Sequence, residues 1–386
     1  MLERAHKIAD QITEWRRDFH MHPELGFHET RTSARVAEVL TALGCRVRTG
    51  VGRTGVVAEI GEGSPVVGIR ADMDALPIQE ENDVPYASQN PGVMHACGHD
   101  SHTAMALGVA TLLKEETLPG TVRFLFQPSE EAEDDEGRSG APRMIEDGVL
   151  DGVDAAIALH VDAEMPVGDI GIGAGPVSAG VDTLYAAVLG EGGHAASPHK
   201  TVDPIYLAAH VVLALHGIVS RRIPPVKSAV ITIGAIHGGE SDNVIPERVD
   251  LIATIRYQEP EIQKQIHEEI ERALSVARAM GGDYEYRITI GYPPMINDKG
   301  VSDLIAQVAN DLLGEGHIPT DTEGHMGAED FAFFIRQVPG AMFSLGSLIE
   351  GDPRRAHHPR FDIDERCLPI GTAILAETAL RLLQRG

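Results

Sequence analysis

Three short apolar runs, at 66–70, 121–126 and 155–159, each give way at their carboxyl end to groups that bind cations or protons. The first delivers Asp72 and Asp74, the second Glu130 and Glu131 through Gln127-Pro-Ser, and the third His160. Runs of this length read as buried strands, and the stretches between them, 102–115 and Ala141 to Asp147, carry helical spacing. Strands alternating with helices predict an α/β domain with a largely parallel central sheet flanked by helices. In such sheets ligands gather beyond the carboxyl ends of the strands, where Asp72, Glu130, Glu131 and His160 fall together.

The stretch His95-Ala-Cys-Gly-His-Asp100, with a further His102, adds a thiol, imidazoles and a carboxylate within eight residues. These are the donors of zinc-like ions and of the groups that orient their ligands. Cys97 and His99 are two apart, which suits a loop rather than one face of a helix. A second polar loop carries His357-His358-Pro359. Cys97, His99, Glu131, His160 and His357 offer five donors, more than one tetrahedral ion needs, so the count fits a two-metal hydrolytic centre. The adjacent Glu130 and Glu131 can divide the labour, one on a metal and the other as general base. A cysteine hydrolase with Cys97 as nucleophile is the competing chemistry; it leaves Glu131, His160 and His357 without a role.

At 386 residues the chain has room for two domains. Its net charge of −26 argues against nucleic acid and anionic membrane as partners. The three cysteines are odd in number and far apart, which argues against a disulfide framework and for a reducing cytoplasm. Residues 1–20 lack the apolar core of a signal peptide, and no run reads as approaching the ~18 apolar residues of a membrane span. Helices are expected at 4–20 and 30–43, and strands at 46–51 and 55–60.

The composition changes near residue 175. Strands at 181–189, 229–236, 249–257 and 284–290, with helices at 203–220 and 260–279, give β-α-β-β-α-β order. The expectation is a smaller α+β, ferredoxin-like domain, 179–294, inserted into a catalytic domain made of 1–178 and 295–386. Helices at 301–313, 328–336 and 368–384 complete the latter. In the insert, His194 and Asn243 can polarise a carbonyl, and Arg256 can clamp a carboxylate.

The ordered motifs carry a resemblance that runs nearly end to end. They are His22-Pro-Glu-Leu-Gly-Phe, Arg70-Ala-Asp-Met-Asp-Ala-Leu-Pro77, His95-Ala-Cys-Gly-His-Asp100, Gln127-Pro-Ser-Glu-Glu131, Gly192-Gly-His-Ala195, Asn243-Val-Ile-Pro246, Met326-Gly-Ala-Glu-Asp-Phe331 and His357-His-Pro359. The chain resembles the metal-dependent amidohydrolases that include hippurate hydrolases, N-acyl-amino-acid amidohydrolases and auxin-conjugate hydrolases, within the aminoacylase and carboxypeptidase superfamily. The resemblance implies Cys97, His99, Glu131, His160 and His357 as ligands of two divalent ions (Zn, Mn, Co or Ni). It implies Glu130 as general base, Asp72 as the carboxylate behind the metals, and His194, Asn243 and Arg256 as substrate contacts of a lid. In relatives the lid also dimerises, which implies a homodimer or homotetramer, and its His can come from the neighbouring subunit. Departures are the acidic segment 132–138 and His358 where Asn or Ser is frequent. The expected reaction is hydrolysis of an N-acyl amino acid. The rivals are a carboxypeptidase or dipeptidase on the same centre, and a silent binding protein, which the intact donor set disfavours.

Overall fold

The computed structural model describes residues 1–319, 324–352 and 354–385. Their contacts divide into two compact units, one of Met1–Gly175 with 296–319 and 330–385, the other of Pro176–Met295 with Gly324–Glu329.

The first unit opens with α1 (Leu2–Lys7) and α2 (Ala9–Met21), two helices where one was expected, broken at Ile8. After α3 (Thr30–Ala42) come β1 (Arg46–Val51), β2 (Gly55–Gly61) and β3 (Val66–Asp72), then α4 (His99–Leu113), β4 (Thr121–Gln127), α5 (Gly140–Glu146), β5 (Ala155–Asp162) and β6 (Ile170–Gly171). Two short strands, β7 (Gly175–Ser178) and β14 (Met295–Asn297), lie where the chain passes between units.

The second unit contains β8 (Gly180–Leu189), β9 (Gly193–His194), α6 (Pro204–Arg221), β10 (Ala229–His237), β11 (Val244–Ile245), β12 (Arg248–Tyr257), α7 (Pro260–Ala279) and β13 (Asp283–Ile290). The chain then returns through α8 (Lys299–Leu313), α9 (Ala332–Ile335), β15 (Gly340–Gly346) and α10 (Leu368–Arg385).

Seven strands of the first unit form one sheet in the order β1-β2-β4-β3-β5-β15-β6. Only the middle four, β4, β3, β5 and β15, are mutually parallel; the flanking pairings are antiparallel. The sheet is therefore mixed, not largely parallel. The three-residue link between β1 and β2 permits only an antiparallel pair, because a parallel one needs a crossover. β3 is buried along its whole length, as a central strand covered on both faces must be. Asp72 pairs with Gln127, and Ser344 with His160, so these strands finish at one edge.

β15 escaped the sequence reading. Gly340-Ala-Met-Phe-Ser-Leu-Gly346 is short and glycine-bounded, and its parallel neighbour β5 gives it its strand character. The expected helix at 328–336 shrinks to α9. α4 begins at His99, three residues before the expected start. The turn into it needs Gly98, which has φ 95° and whose Cβ would lie 2.3 Å from a Val161 methyl.

In the second unit β10-β12-β8-β13 form an antiparallel sheet. α6 and α7 pack against each other and against one face, burying Leu184, Ala186, Val188, Leu251, Ala253 and Ile255 beneath them. Thr254 and Arg256, on the alternate positions, belong to the opposite face. α6 corrects one expectation: it is long and apolar enough to cross a membrane by length and composition. Its Leu207, Val211, Leu215 and Ile218 stripe is nonetheless packed on the sheet, with Leu213 outward.

Candidate metal centre

Four segments of the first unit bring donors to the carboxyl edge of the central strands. Gly98 and the first turn of α4 supply Cys97 and His99. The end of β4 supplies Glu130 and Glu131 through Ser129, a non-glycine residue at φ 44°. β5 supplies His160, and the irregular stretch after β15 supplies His357, itself at φ 63°. Such left-handed residues cost on the order of 1–3 kcal/mol and persist where their surroundings over-determine them.

The donor atoms form two triads that share one sulfur. Cys97, His99 and His160 present ligand atoms within 4.8 Å of one another, as do Cys97, Glu131 and His357. A third group joins His99, Glu131 and Glu130, so the Glu130 carboxylate lies beside both triads. Cys97 Sγ is 3.4 Å from His160 Nε2, and His357 Nε2 is 2.9 Å from Glu131 Oε1.

Hydrogen bonds on the far nitrogen aim the rings. His160 donates from Nδ1 to the Val161 carbonyl (2.8 Å), leaving Nε2 toward Cys97. His99 donates from Nδ1 to the Asp74 carbonyl (2.9 Å), and its buried Nε2 has no hydrogen-bond partner. His102 is different. Its Nδ1 donates to Asp72 Oδ1 (2.6 Å) and its Nε2 accepts from Val161 N–H (3.0 Å), so no lone pair remains for a metal. His95 is buried with both ring nitrogens unpartnered, outside every donor group found among the described residues. His358 is exposed, and its Nδ1 accepts from Arg360 N–H (3.1 Å).

Asp72 stands behind the rings. Arg70 donates to its Oδ2 (2.5 Å) and also reaches Gln127 and Asp330. Burial raises the Asp72 pKa, but Arg70, His99 and His102 outweigh it and hold the carboxyl well below its usual range. Asp74, named with Asp72 at the end of the first run but given no role there, contacts both triads: its Oδ2 accepts from Glu131 N–H (2.9 Å) and its Oδ1 is 3.2 Å from His99 Nδ1. The signal was its place two residues beyond Asp72, on the same face of an extended segment.

Burial pushes the Cys97 thiol up, and His160 and His99 pull it down further, to about 6. Burial lowers His160, and the Cys97 sulfur outweighs it and raises the ring to about 9. Hydrogen bonds with Cys97 and Glu131 raise His357 to about 10. The cluster thus holds negative donors beside protons that a cation would displace.

In the second unit β9 and β11 pair Val244 with His194. Ala196 N–H donates to His194 Nδ1 (3.1 Å), which leaves Nε2 as the donor nitrogen of the neutral ring. Asn243 accepts at Oδ1 from Ser241 (2.7 Å), so its amide NH2 remains to donate. Arg256 bonds Thr254 Oγ1 (3.2 Å) and has no carboxylate partner among the described residues. These three were expected to share one substrate, and this unit does not bring them together. Arg256 pairs with Val181 at one end of β8, whereas β9 and β11 follow the Leu189–Arg248 end. Eight residues of β12 separate the ends, roughly 26 Å of strand.

Fold and site together define a metal-dependent hydrolase. Residues 68–381 match peptidase family M20/M25/M40, and the chain belongs to that family as an amidohydrolase. It is 40% identical to an N-acetyl-L-cysteine deacetylase of Bacillus subtilis (97% of this chain, 89% of that one). It is 38% identical to thermostable carboxypeptidase 2 of Saccharolobus solfataricus (97% and 96%). Among solved structures, a dinuclear metal-binding M20 peptidase from Bacillus subtilis superposes with a TM-score of 0.86 at 34% identity, covering 98% of this chain and 99% of that one.

Proposed function

We propose that the chain hydrolyses the amide bond of N-acyl amino acids at a centre for two divalent ions. The observation that carries this is the pair of triads sharing Cys97, with the Glu130 carboxylate beside them. The donor set fits the ions: thiolate, imidazole Nε2 and carboxylate suit Zn, Mn, Co or Ni. The buried His99 Nε2, without a hydrogen-bond partner, is a lone pair that a cation would satisfy. Cys97, His99 and His160 would hold one ion, and Cys97, Glu131 and His357 the other. Bound there, the ions polarise the amide carbonyl and acidify water.

The remaining work falls to the chain. Glu130 takes the proton of the attacking water and returns it to the leaving amine. Asp72 and Asp74 hold the ring and carboxylate donors at their angles. Arg256 grips the amino acid's α-carboxylate, and its lack of an internal carboxylate partner supports that role. His194 Nε2–H and the Asn243 amide donate to the oxyanion that develops on the substrate. Because Arg256 lies at one end of β12 and His194, in the β9-β11 pair, follows the other end, we assign them to different copies of the chain on any one substrate. The second unit then serves as a ferredoxin-like lid and dimerisation domain of a homodimer or homotetramer, hinged at 175–181 and 291–295. A reducing cytoplasm, where Cys97 stays a thiol, is the setting this chemistry suits.

The test is hydrolysis of N-acetyl and N-benzoyl amino acids beside dipeptides, by wild type and Glu130→Ala, before and after chelation and refilling. Chelator-sensitive release of free amino acid from the acyl substrates, lost in Glu130→Ala, supports the proposal. Turnover confined to dipeptides would make the chain a carboxypeptidase or dipeptidase instead.

A further inference from the structure

A buried charged network lies on the far side of His99, and nothing in the hydrolytic reading uses it. Its centre is Arg16 on α2, with no exposed surface. The guanidinium donates from Nε to Asp100 Oδ2 (2.9 Å), from one terminal nitrogen to Asp362 Oδ1 (2.7 Å), and from the other to Glu365 (3.2 Å). One turn later on the same helix, His20 bonds Asp100 (2.8 Å) and Glu80 (3.2 Å). Tyr86 lies under the guanidinium and donates to the second Asp362 oxygen (2.9 Å).

Arg16 therefore joins Asp100, the residue after His99, to Asp362, five residues beyond His357. Those two donors come from opposite ends of the chain, and their supports differ. His99 is anchored in the first turn of a buried helix. His357 belongs to an irregular stretch whose ties run mostly to a second irregular stretch. His357 N–H donates to the Ala96 carbonyl (2.7 Å), Glu81 N–H to Pro359 (2.9 Å), and Asn82 to Phe361 (2.9 Å). Phe361 and Ile363, on either side of Asp362, pack into the core, and α2 adds the directional polar anchor, through Arg16 to Asp362 and through His20 to Glu80. The planar fork of an arginine fixes angle as well as distance, which the point charge of a lysine does not.

We propose that Arg16 is a positioning residue for the two-ion centre: it holds the loop bearing His357 in register with the helix turn bearing His99. The inference rests on the metal reading above and makes a sharper claim than general support. The ion on Cys97, Glu131 and His357 depends on Arg16, and the ion on Cys97, His99 and His160 does not, because α4 and His20 still hold that side.

The experiment is titration of the metal-free full chain with Co(II) or Zn(II), by calorimetry and by the Co(II) absorption spectrum, with thermal melting alongside. The proteins are wild type, Arg16→Lys, Asp362→Asn, their double variant, and Arg17→Lys. The last alters a half-exposed residue that pairs with Glu365 and lies over Tyr86 but bonds neither Asp100 nor Asp362. Wild type and Arg17→Lys take two ions. Arg16→Lys and Asp362→Asn each keep the first at wild-type affinity and bind the second about tenfold or more weakly, and the double variant is no worse than either single. Asp362→Asn carries the test if Arg16→Lys does not fold. Two ions bound as in wild type by both single variants, or equal weakening of both ions, overturns the proposal. A wild type that takes fewer than two ions would instead sink the metal reading, and this inference with it.

Discussion

His357 Nε2 lies 2.9 Å from Glu131 Oε1, and both groups face the sulfur of Cys97. Two donors from residues 226 positions apart in the chain thus converge beside a third, the Cys97 sulfur. That is the geometry of ligands meeting at a third point.

Metal stoichiometry follows from how the triads share atoms. His357→Ala should lower the bound ions from about two to about one per chain, because only one triad contains it. Cys97→Ala should reduce both, since its sulfur belongs to each triad. Elemental analysis of dialysed protein checks this. Equal retention in both variants would mean that the sulfur is not shared.

Asp74 should matter without touching an ion. It accepts from Glu131 N–H and stands against His99 Nδ1. Asp74→Asn is expected to weaken metal affinity by about 10–100-fold while leaving the fold intact. Competition against a chromogenic chelator, with circular dichroism as control, measures it.

Glu29 gives a pH signature separable from the metals. Burial, then the nearby Asp74 charge, raises its carboxyl from 4.5 to about 7. The folded state keeps a proton that the unfolded chain releases between about pH 4.5 and 7. This group's contribution is therefore full below the window, falls by about 3 kcal/mol across it, and is flat above. Glu29→Gln removes that term. Its oxygen can still accept from Phe27 and Ser129 N–H, which both reach Oε1. The variant's melting temperature relative to wild type should rise from pH 5 to pH 7 and then level. A difference independent of pH would refute the assignment.

Complementation tests the division of substrate contacts between copies. His194→Ala and Glu130→Ala should each be nearly inactive alone. Unfolding and refolding them together should restore about a quarter of wild-type activity, since half the random dimers are mixed and each has one intact site. No recovery would place His194 and Glu130 on the same copy.

The strands that end in acid or histidine, the donor types and the order of elements in the second unit are legible in the chain, because each is written in local periodicity or in a motif of neighbouring residues. Long-range contacts set the rest. That His102 is consumed by Asp72 and Val161 while His99 keeps a lone pair depends on partners 25 to 59 residues away. The mixed sheet and the hidden strand at Gly340–Gly346 depend on neighbours, because a short glycine-bounded run takes strand character only when another strand lies beside it. The separation of Arg256 from His194 follows from strand pairing, which no local pattern records. Local sequence specifies conformation and chemistry over a few residues; direction, lone-pair use and distance between groups are set by long-range packing and hydrogen bonds.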